Sequence, residues 1–375
     1  MREVGGSNPP PPILKKVLIL TANYGAGHLI ASQGLKEIIE DDENKVEILD
    51  IVEFGSRIEK ITSKLYIWLN RHSHFLWKLI YYNPIFKTKF FRNFLKLLLN
   101  KKIYNRISNF NPDVIISTHF FATIYGIKFK NKKPNVKLFV CITDYEIHPI
   151  WLFDEVDLFF LPSEFSLKTF KGENFLITGI PLRKGFLMHL NEVEIKNFFD
   201  IKTDKLVVLL NLGANSVLPI KDAIKFINLF KDKLYFLIIV GKDEKRFQII
   251  KNFLNNTNAE YKLFGFTQEI YKLISICDFS ITKAGGLSVS ELLYLQKPAI
   301  YYKSLPGQEE GNEKFIKEYG LGLIAKNFSQ LVKLTQFIIE NPDILDFFRR
   351  NLSYQKKKMN FLEIKKNVSH ETYAL

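Results

Sequence analysis

The chain has little cysteine, no long apolar run and no Asp-x-Asp pair, and each absence excludes a class of protein. Its only cysteines, Cys141 and Cys277, lie in separate apolar segments. They make neither a disulfide framework nor a cysteine metal set, so a reducing cytoplasm is expected. No stretch reaches the roughly 18 consecutive apolar residues of a membrane-spanning helix. No spacing of His, Cys and Asp resembles a metal site, and we therefore expect a reaction without an obligatory metal.

Length and composition predict a globular protein of two domains. The 375 residues are 47% apolar and 25% charged, and a chain of this length is typical of two domains of roughly 150–180 residues each. Residues 1–12 contain four consecutive prolines and no apolar signal core, which favours a loose leader. We place the first domain at 13–182, the second at 183–345 and a basic, partly helical tail at 346–375. The boundary follows Pro181, which discourages continuous secondary structure.

Short β-rich runs alternate with helical patterns in both halves. The runs cover 17–21, 46–51, 113–118, 136–143 and 156–161 in the first half, and 206–212, 234–240, 260–264, 279–282 and 298–302 in the second. Alternating strands and helices predict an α/β protein with a doubly wound parallel sheet in each domain. Ligands bind such sheets at the carboxyl ends of the strands. Two Rossmann-like domains of this kind would face each other across a cleft.

A strand, a glycine turn and a helix are predicted late in the second half. The apolar run 275–281 indicates a buried strand, and 289–295 indicates the helix that follows. Gly285 and Gly286 allow a close backbone approach, and Ser288 is the candidate N-cap of the helix. A helix N-terminus reached through such a turn suits a phosphate group. An ordinary structural turn is the alternative for this stretch alone.

Four polar loops at strand ends of the second half together suit a nucleotide diphosphate. Backbone groups near Phe266 would contact the base, Glu291 the ribose hydroxyls and amides near Gly286 the phosphates, while 308–312 offers side chains suited to sugar hydroxyls. A solvated turn with a helix cap is the alternative for 308–312. Lys283 and helix N-termini would meet the charge of a leaving group. The predicted nucleotide-sugar contacts are Gly27, Gly213, Asn215, Gly265, Phe266, Lys283, Gly285, Gly286, Leu287, Ser288, Glu291, Gln308, Glu309 and Asn312.

The first half carries the reactive candidates, again at strand ends. His28 follows a glycine turn, where its ring could face a cleft and take a proton from an acceptor hydroxyl near neutral pH. Asp144 and His148 are candidates for a base or an orienting pair, or they cap the segment 149–151. His119 would contact the ligand or complete a hydrogen bond in the core.

The net charge of +14 is concentrated in one aromatic segment. Residues 57–106 contain twelve Lys or Arg and one acid, Glu59, together with many Trp, Tyr and Phe. This mixture suits an anionic membrane surface, and nucleic acid or a solvated basic face over an ordinary core are alternatives that composition leaves open. The candidate acceptor-binding and membrane-binding residues are Trp68, Arg71, Trp77, Lys78, Lys87, Lys89, Arg92 and His119.

Five stretches of the chain resemble one enzyme family. They are 17–28 (VLILTANYGAGH), 142–148 (ITDYEIH), 178–181 (TGIP), 282–291 (TKAGGLSVSE) and 306–312 (PGQEEGN). In this order they resemble the monogalactosyldiacylglycerol synthase and processive diacylglycerol glucosyltransferase family, relatives of the peptidoglycan enzyme that adds N-acetylglucosamine to a lipid-linked muropeptide. The last two stretches are the most specific.

The resemblance implies a glycosyltransferase of the B-type fold, with the acceptor side first and the UDP-sugar side second. It implies inversion at the anomeric carbon, with His28 as general base and with Glu291, Gln308, Glu309 and Asn312 in contact with the nucleotide-sugar. The basic aromatic segment becomes a membrane-docking region. We therefore expect a peripheral enzyme, on the cytoplasmic side of the cell membrane, that transfers a hexose from a UDP-sugar to diacylglycerol without an obligatory cofactor and without a nucleic-acid partner. The alternatives are transfer of N-acetylglucosamine to another lipid-linked acceptor, a UDP-sugar 2-epimerase on the same fold, and a nucleic-acid-binding protein.

Overall fold

The first half of the chain forms a six-stranded parallel sheet. The computed structural model describes residues 14–55, 61, 78–79, 81–88, 90–91, 95, 99–213 and 218–369. The elements of the first half are β1 (Lys15–Thr21), α1 (Ala26–Ile39), β2 (Asn44–Asp50), α2 (Lys101–Phe110), β3 (Val114–Ser117), α3 (Phe120–Lys130), β4 (Lys137–Cys141), β5 (Leu158–Leu161) and β6 (Phe175–Ile177), with short 3-10 helices at Pro84–Lys87, Pro149–Trp151 and Glu164–Lys168. The strand order is β2-β1-β3-β4-β5-β6.

The second half forms a second parallel sheet of six strands, in the order β12-β11-β10-β7-β8-β9. Its elements are α4 (Lys184–Leu187), α5 (Glu192–Phe198), β7 (Leu206–Asn211), α6 (Ile220–Phe230), β8 (Leu234–Gly241), α7 (Glu244–Leu254), β9 (Glu260–Gly265), α8 (Ile270–Ile276), β10 (Phe279–Thr282), α9 (Gly286–Tyr294), β11 (Ala299–Tyr302), α10 (Gln308–Tyr319), β12 (Leu323–Ala325), α11 (Phe328–Glu340), α12 (Ile344–Lys356) and α13 (Leu362–Ser369).

Both sheets are buried on both faces, which explains their nearly continuous apolar strands. In β1, Val17 and Ile19 share one core with α1, whereas Leu18 and Leu20 share another with α2 and α3. The strands of the second sheet divide their side chains in the same way between two cores. The predicted pair of doubly wound α/β domains is confirmed.

The strand order of each sheet reverses at one position, and this position locates the site. In the first sheet, β1 and β3 are the central neighbours from which the chain winds in opposite directions, and in the second sheet β7 and β10 have that role. Ligands of open α/β sheets bind in the crevice beyond the carboxyl ends of such strands. The segments that follow Thr21, Ser117, Asn211 and Thr282 are therefore the positions where a ligand is expected.

Two local predictions around the glycine turn are wrong. The apolar run 275–281 is not one strand, because α8 continues to Ile276 and β10 begins only at Phe279. A buried helix end and a buried strand are both apolar, so the pattern did not separate them. Ser288 is not the N-cap, since Gly285 has the extended cap conformation and α9 already begins at Gly286. Strands β6 and β12, of three residues each, were too short to predict.

The two domains share an apolar core. Ala31 of α1 and Leu182, at the end of the first domain, pack with side chains of α9 and α10. The ring of Tyr145 stacks on that of Phe315 in α10, with 3.9 Å between the centroids. The sequence alone predicted a cleft between the domains, but it did not predict this amount of apolar contact between them.

The segment predicted as a tail divides between the domains. Helix α12 packs on the second domain, but α13 crosses back to the first. Ile364 and Val368 of α13 are fully buried beside Val17 and Phe160 of the first sheet. An ion pair of 2.7 Å between Lys365 and Asp41 holds the same helix. Within the ranges that the structure describes, no helix is long and apolar enough to span a membrane.

Candidate active site between the two domains

His28 lies in the first turn of α1, at the reversal point of the first sheet. Its Nδ1 is 2.9 Å from the carbonyl oxygen of Thr118 and 3.0 Å from the hydroxyl of Thr143. A carbonyl oxygen only accepts, so Nδ1 carries the ring proton and Nε2 keeps its lone pair. The side chain therefore has the tautomer that a general base at Nε2 needs.

Burial keeps the His28 ring neutral. It lowers the pKa of His28 from 6.5 to about 4, while the Thr118 carbonyl raises the pKa and the charge of Lys283 lowers it further. Lys283 belongs to the second domain, so its influence on His28 shows that the two predicted halves of the site lie close together. At neutral pH the imidazole is in its proton-accepting form.

His119 caps α3 and forms a wall beside His28. Its Nδ1 accepts a hydrogen bond from the amide of Phe121 at 3.3 Å, and burial holds its pKa well below the ordinary value, with the charge of His28 acting in the same direction. The ring stacks on Tyr24, with centroids 5.0 Å apart, and lies edge-on to His28 at 4.8 Å. Trp151 closes the wall 6.5 Å from the His28 ring. The result is an aromatic surface suited to an apolar acceptor.

His148 has the capping position that the sequence left open as one alternative. Its Nδ1 accepts from the amide of Ile150 at 3.2 Å, at the start of Pro149–Trp151. Its Nε2 lies 3.1 Å from the carbonyl oxygen of Tyr81 and donates to it. Both ring nitrogens bond to backbone, so the hydrogen bonds favour the structural role over the catalytic one.

Asp144 is directed at the second domain. Its Oδ2 accepts a hydrogen bond from Nε2 of Gln308 at 2.9 Å. Burial raises the pKa of Asp144 from 3.8 to about 6, while the hydrogen bond from Gln308 lowers it and the charge of Glu309 raises it. Lys283 and Asn312 also lower the pKa. Among the described residues, the side chains that shift this pKa all belong to the second domain.

The glycine turn lies between β10 and α9, as predicted. The first amides of a helix have no acceptor within it and point outward. Beside them, the ammonium group of Lys283 forms an ion pair of 2.6 Å with Glu309. The other carboxylate oxygen of Glu309 accepts from the amide of Leu305 at 2.8 Å. A helix N-terminus and a lysine together suit an anionic leaving group.

Glu291 lies at the reversal point of the second sheet. It lines a small cavity together with Asn211, Thr282 and Ser288. Burial raises the pKa of Glu291 from 4.5 to about 7, and the charge of Arg183 acts in the opposite direction. Ligands of open α/β sheets bind at such a position, and the ribose contact of Glu291 stays a prediction. Arg183, at the start of the second domain, was not predicted as part of the site.

The remaining predicted donor loops lie along the same edge. Gly213 follows β7 by two residues, and Gly265 is the last residue of β9. Phe266 is 60% exposed, with the ammonium of Lys242 4.6 Å above its ring. Asn215 lies outside the described residues.

The two glycine turns meet directly. A Cβ added to Gly27 would be 3.9 Å from the Cβ of Leu287 in α9. A Cβ added to Gly286 would be only 2.0 Å from the carbonyl oxygen of Thr143. Gly286 therefore has to be glycine for the loop of the first domain to approach α9 this closely. His28, held by Thr143, is thus adjacent to the predicted phosphate site.

Two of the resembling stretches contact each other. The amide of Tyr145 donates to Oδ1 of Asn312 at 2.9 Å, and the Tyr145 hydroxyl is 2.7 Å from that of Ser290. Nδ2 of Asn312 donates to the carbonyl oxygen of Ala284 at 2.8 Å. Both ends of the Asn312 amide are therefore held by backbone, and this side chain ties the domains together here. Sequence reasoning missed Tyr145 and Ser290, although each lies within a resembling stretch.

Only a small part of the basic segment is described. Lys78 lies 3.6 Å from a carboxylate oxygen of Glu310 in α10, and the hydroxyl of Tyr82 donates to the other oxygen at 2.7 Å. A Cβ on Gly307 would be 2.8 Å from the ring of Tyr81. The segment thus contacts the start of α10, beside the predicted sugar site. The predicted residues Trp68, Arg71, Trp77, Lys89 and Arg92 and the side chain of Lys87 lie outside the described residues.

Across the described ranges, no three His, Cys, Asp or Glu side chains come together as a metal-binding group.

Comparison with known proteins separates the chain into the same two parts. Residues 28–182 match the family model of monogalactosyldiacylglycerol (MGDG) synthase, and residues 213–363 match the glycosyltransferase family 28 C-terminal domain. The chain is 26% identical over 349 residues to a processive diacylglycerol beta-glucosyltransferase of Bacillus pumilus, covering 90% of each chain. It is 29% identical over 345 residues to the enzyme of that name from Bacillus cereus, covering 87% of this chain and 86% of the relative.

Solved structures share the fold. MurG of Acinetobacter baumannii superposes with a TM-score of 0.61 at 13% identity, over 94% of this chain and 99% of that one. HepE of Anabaena, solved with UDP and glucose, superposes with a TM-score of 0.56 at 13% identity, over 95% and 98% of the two chains. The two matched domains account for most of the chain, which combines a monogalactosyldiacylglycerol synthase domain with a glycosyltransferase family 28 C-terminal domain and is a glycosyltransferase of the B-type fold.

Proposed function

We propose that the protein transfers a hexose from a UDP-sugar to the free hydroxyl of diacylglycerol, with inversion at the anomeric carbon. The Bacillus relatives are named for this acceptor, and the similar HepE structure was solved with UDP and glucose. The observation that carries the proposal is the position of His28. A neutral imidazole with its lone pair at Nε2 lies against the glycine turn that would hold the donor.

In this mechanism, His28 accepts the proton of the acceptor hydroxyl at Nε2 as the oxygen attacks the anomeric carbon. The bond from that carbon to the UDP oxygen breaks, and its electron pair leaves with UDP. The Thr118 carbonyl, which accepts from Nδ1, stabilises the imidazolium that forms. The N-terminus of α9 and Lys283 stabilise the charge of UDP. General-base assistance of this kind contributes roughly 10²–10⁴ to the rate.

The acceptor is a lipid, so we further propose that the protein binds the cytoplasmic face of the membrane as a peripheral enzyme. The basic aromatic segment 57–106 is the proposed docking surface, because it combines cations for anionic headgroups with rings for the interface. The aromatic wall of Tyr24, His119 and Trp151 provides the surface along which an acyl chain reaches His28.

One assay tests the reaction. Purified protein is incubated with UDP-glucose, UDP-galactose or UDP-N-acetylglucosamine and vesicles containing diacylglycerol, and UDP and lipid products are measured. Equal amounts of UDP and glycosyldiacylglycerol are expected. Conversion of the UDP-sugar to its 2-epimer in the absence of lipid contradicts the proposal. Turnover that occurs only with UDP-N-acetylglucosamine and an acceptor other than diacylglycerol contradicts it as well. Binding to oligonucleotides in preference to anionic vesicles at matched salt contradicts the membrane assignment.

A further inference from the structure

The loop of the first domain that follows β4 reaches the predicted sugar site through Asp144. This side chain is 7% exposed, and its Oδ2 accepts from Nε2 of Gln308 at 2.9 Å. The amide of Asn312 lowers the pKa of the carboxyl group, and the charge of Glu309 raises it. One residue of the acceptor domain therefore acts on the three polar side chains of 308–312 that were assigned to the sugar.

This hydrogen bond decides which end of the Gln308 amide faces away from Asp144. An amide has an NH₂ group that donates and an oxygen that accepts, so its hydrogen-bond partners determine which end faces which way. With a pKa of about 6, the carboxyl group of Asp144 is ionised at neutral pH and has no proton to donate. The flipped amide would place two oxygens against each other in a buried site, which costs at least one hydrogen bond.

We propose that Asp144 is a positioning residue that selects the donor sugar by fixing the orientation of Gln308. The inference rests on the proposed function, because that function assigns 308–312 to the sugar. With Nε2 held, Gln308 presents its oxygen to a sugar hydroxyl that donates. A hexose whose hydroxyl at that carbon has the other orientation does not donate this hydrogen bond to the Gln308 oxygen and therefore binds more weakly.

The selection depends on domain closure, since Asp144 and Gln308 come from different domains. His28 is oriented through Thr118 and Thr143 and has no need of Asp144 for its tautomer. The structure thus separates proton transfer, which belongs to His28, from donor selection, which belongs to the Asp144 and Gln308 pair.

The variant Asp144→Asn tests the proposal with little change in shape. An asparagine amide can hold Gln308 in either orientation, as donor or as acceptor. Affinities of the full chain for UDP, UDP-glucose and UDP-galactose are measured by calorimetry, which needs no acceptor. The affinity for UDP is expected to stay unchanged. The ratio of the affinities for UDP-glucose and UDP-galactose is expected to shrink by about tenfold, which is the effect of one hydrogen bond to a charged group. The ratio of kcat/KM between the donors should shrink equally.

Two further variants examine the coupling. In a Gln308→Ala background, Asp144→Asn should cause no further loss of selectivity, because the two residues act as one unit. The double variant Asp144→Asn with Gln308→Glu exchanges the donor and the acceptor of this hydrogen bond, because the asparagine amide donates to the glutamate carboxylate. The second carboxylate oxygen then accepts from the sugar hydroxyl, so the preference between the two donor sugars should be restored. Glu146→Gln is the control: it removes an ion pair of 2.7 Å to Lys314 from the same loop and should leave the preference intact.

Several results would overturn the inference. If Asp144→Asn keeps the donor preference while kcat falls equally with every donor, Asp144 acts on the chemistry and only the proposed function survives. If the variant loses affinity for UDP itself, its role is structural. A wild-type protein that binds both hexoses equally also refutes selection by this pair. If the wild type binds UDP-hexoses selectively but no lipid is glycosylated, the proposed function fails while donor selection stands.

Discussion

Replacing Gly286 with alanine would test the contact between the domains most directly. The added Cβ would lie 2.0 Å from the carbonyl oxygen of Thr143 and 3.3 Å from Cδ1 of Ile180. The closer atom is backbone, so no side-chain rotation relieves the overlap. Because ordinary contact begins at 3.4 Å, the loop and the helix have to separate by about 1.4 Å.

The magnitude follows from two opposing effects. Within a helix, alanine is more stable than glycine by roughly 0.5–1 kcal/mol, so the second domain itself should not unfold more easily. Misplacing reacting groups by 1 Å costs on the order of 100-fold in rate. We therefore expect Gly286→Ala to lower kcat/KM by about 100-fold, with a melting temperature close to that of the wild type.

The assay compares this variant with Gly285→Ala. At Gly285 the nearest atom to an added Cβ is Cε of Lys283, at 3.5 Å, which is ordinary contact. This control loses some N-cap stability, roughly a few tenths to 1 kcal/mol, but keeps the domains together. Hydrogen exchange of the amide of Tyr145 reports the separation. If both variants exchange and turn over alike, the contact between Gly286 and Thr143 is not the one used in catalysis, and the argument is wrong.

Four further predictions concern the base, the ribose contact and the docking surface. His28→Ala should retain UDP binding but lose transfer by roughly 10²–10⁴; near-normal turnover would reject the base assignment. Since the base has to be neutral, protonation of His28 should cause a fall in wild-type kcat/KM as the pH drops through about 4, below the range in which Asp144 and Glu291 titrate, measured with a pH-stable acceptor vesicle. Folding raises the pKa of Glu291 from 4.5 to about 7, so the wild type loses stability as the pH rises through this range. Glu291→Gln should then be the more stable protein above pH 7, by up to about 3 kcal/mol in denaturant titrations, while it binds UDP-sugar more weakly; equal stability at pH 8 would contradict the burial argument. Reversing basic charges within 71–92 should reduce binding to anionic vesicles and spare UDP binding, and persistent vesicle binding would place the docking surface elsewhere.

The sheets and the position of the site were predictable because they depend on local patterns. Strands buried on both faces appear as apolar runs, and parallel strands bring their carboxyl ends to one edge. The loops that contain His28 and Glu291 follow two such strands, so sequence order alone placed them on facing edges. The tautomer of His28 was not predictable, since it depends on a backbone carbonyl, at Thr118, that has no signature in the sequence.

The partners of the polar motif residues were not predictable either. Asp144 and Gln308 carry the same groups whether they bind a ligand or each other. The structure shows that the stretches around them are joined across the cleft, with Asn312 held at both ends by backbone. His148 likewise looks the same in sequence as a base or as a cap. The sequence pattern shows which polar residues follow a strand, but only the three-dimensional structure shows which groups they contact.

The return of α13 to the first domain has a consequence for biosynthesis. Among the described residues, Ile364 and Val368 complete the apolar strip around Val17 and Phe160, and both are made after the whole second domain. At roughly 5–20 residues per second, a ribosome needs about 10–40 s to pass from the end of the first domain to this helix. During that interval the strip is open to chaperones or to neighbouring nascent chains. The last packing step in maturation therefore seals the half of the molecule that was synthesised first.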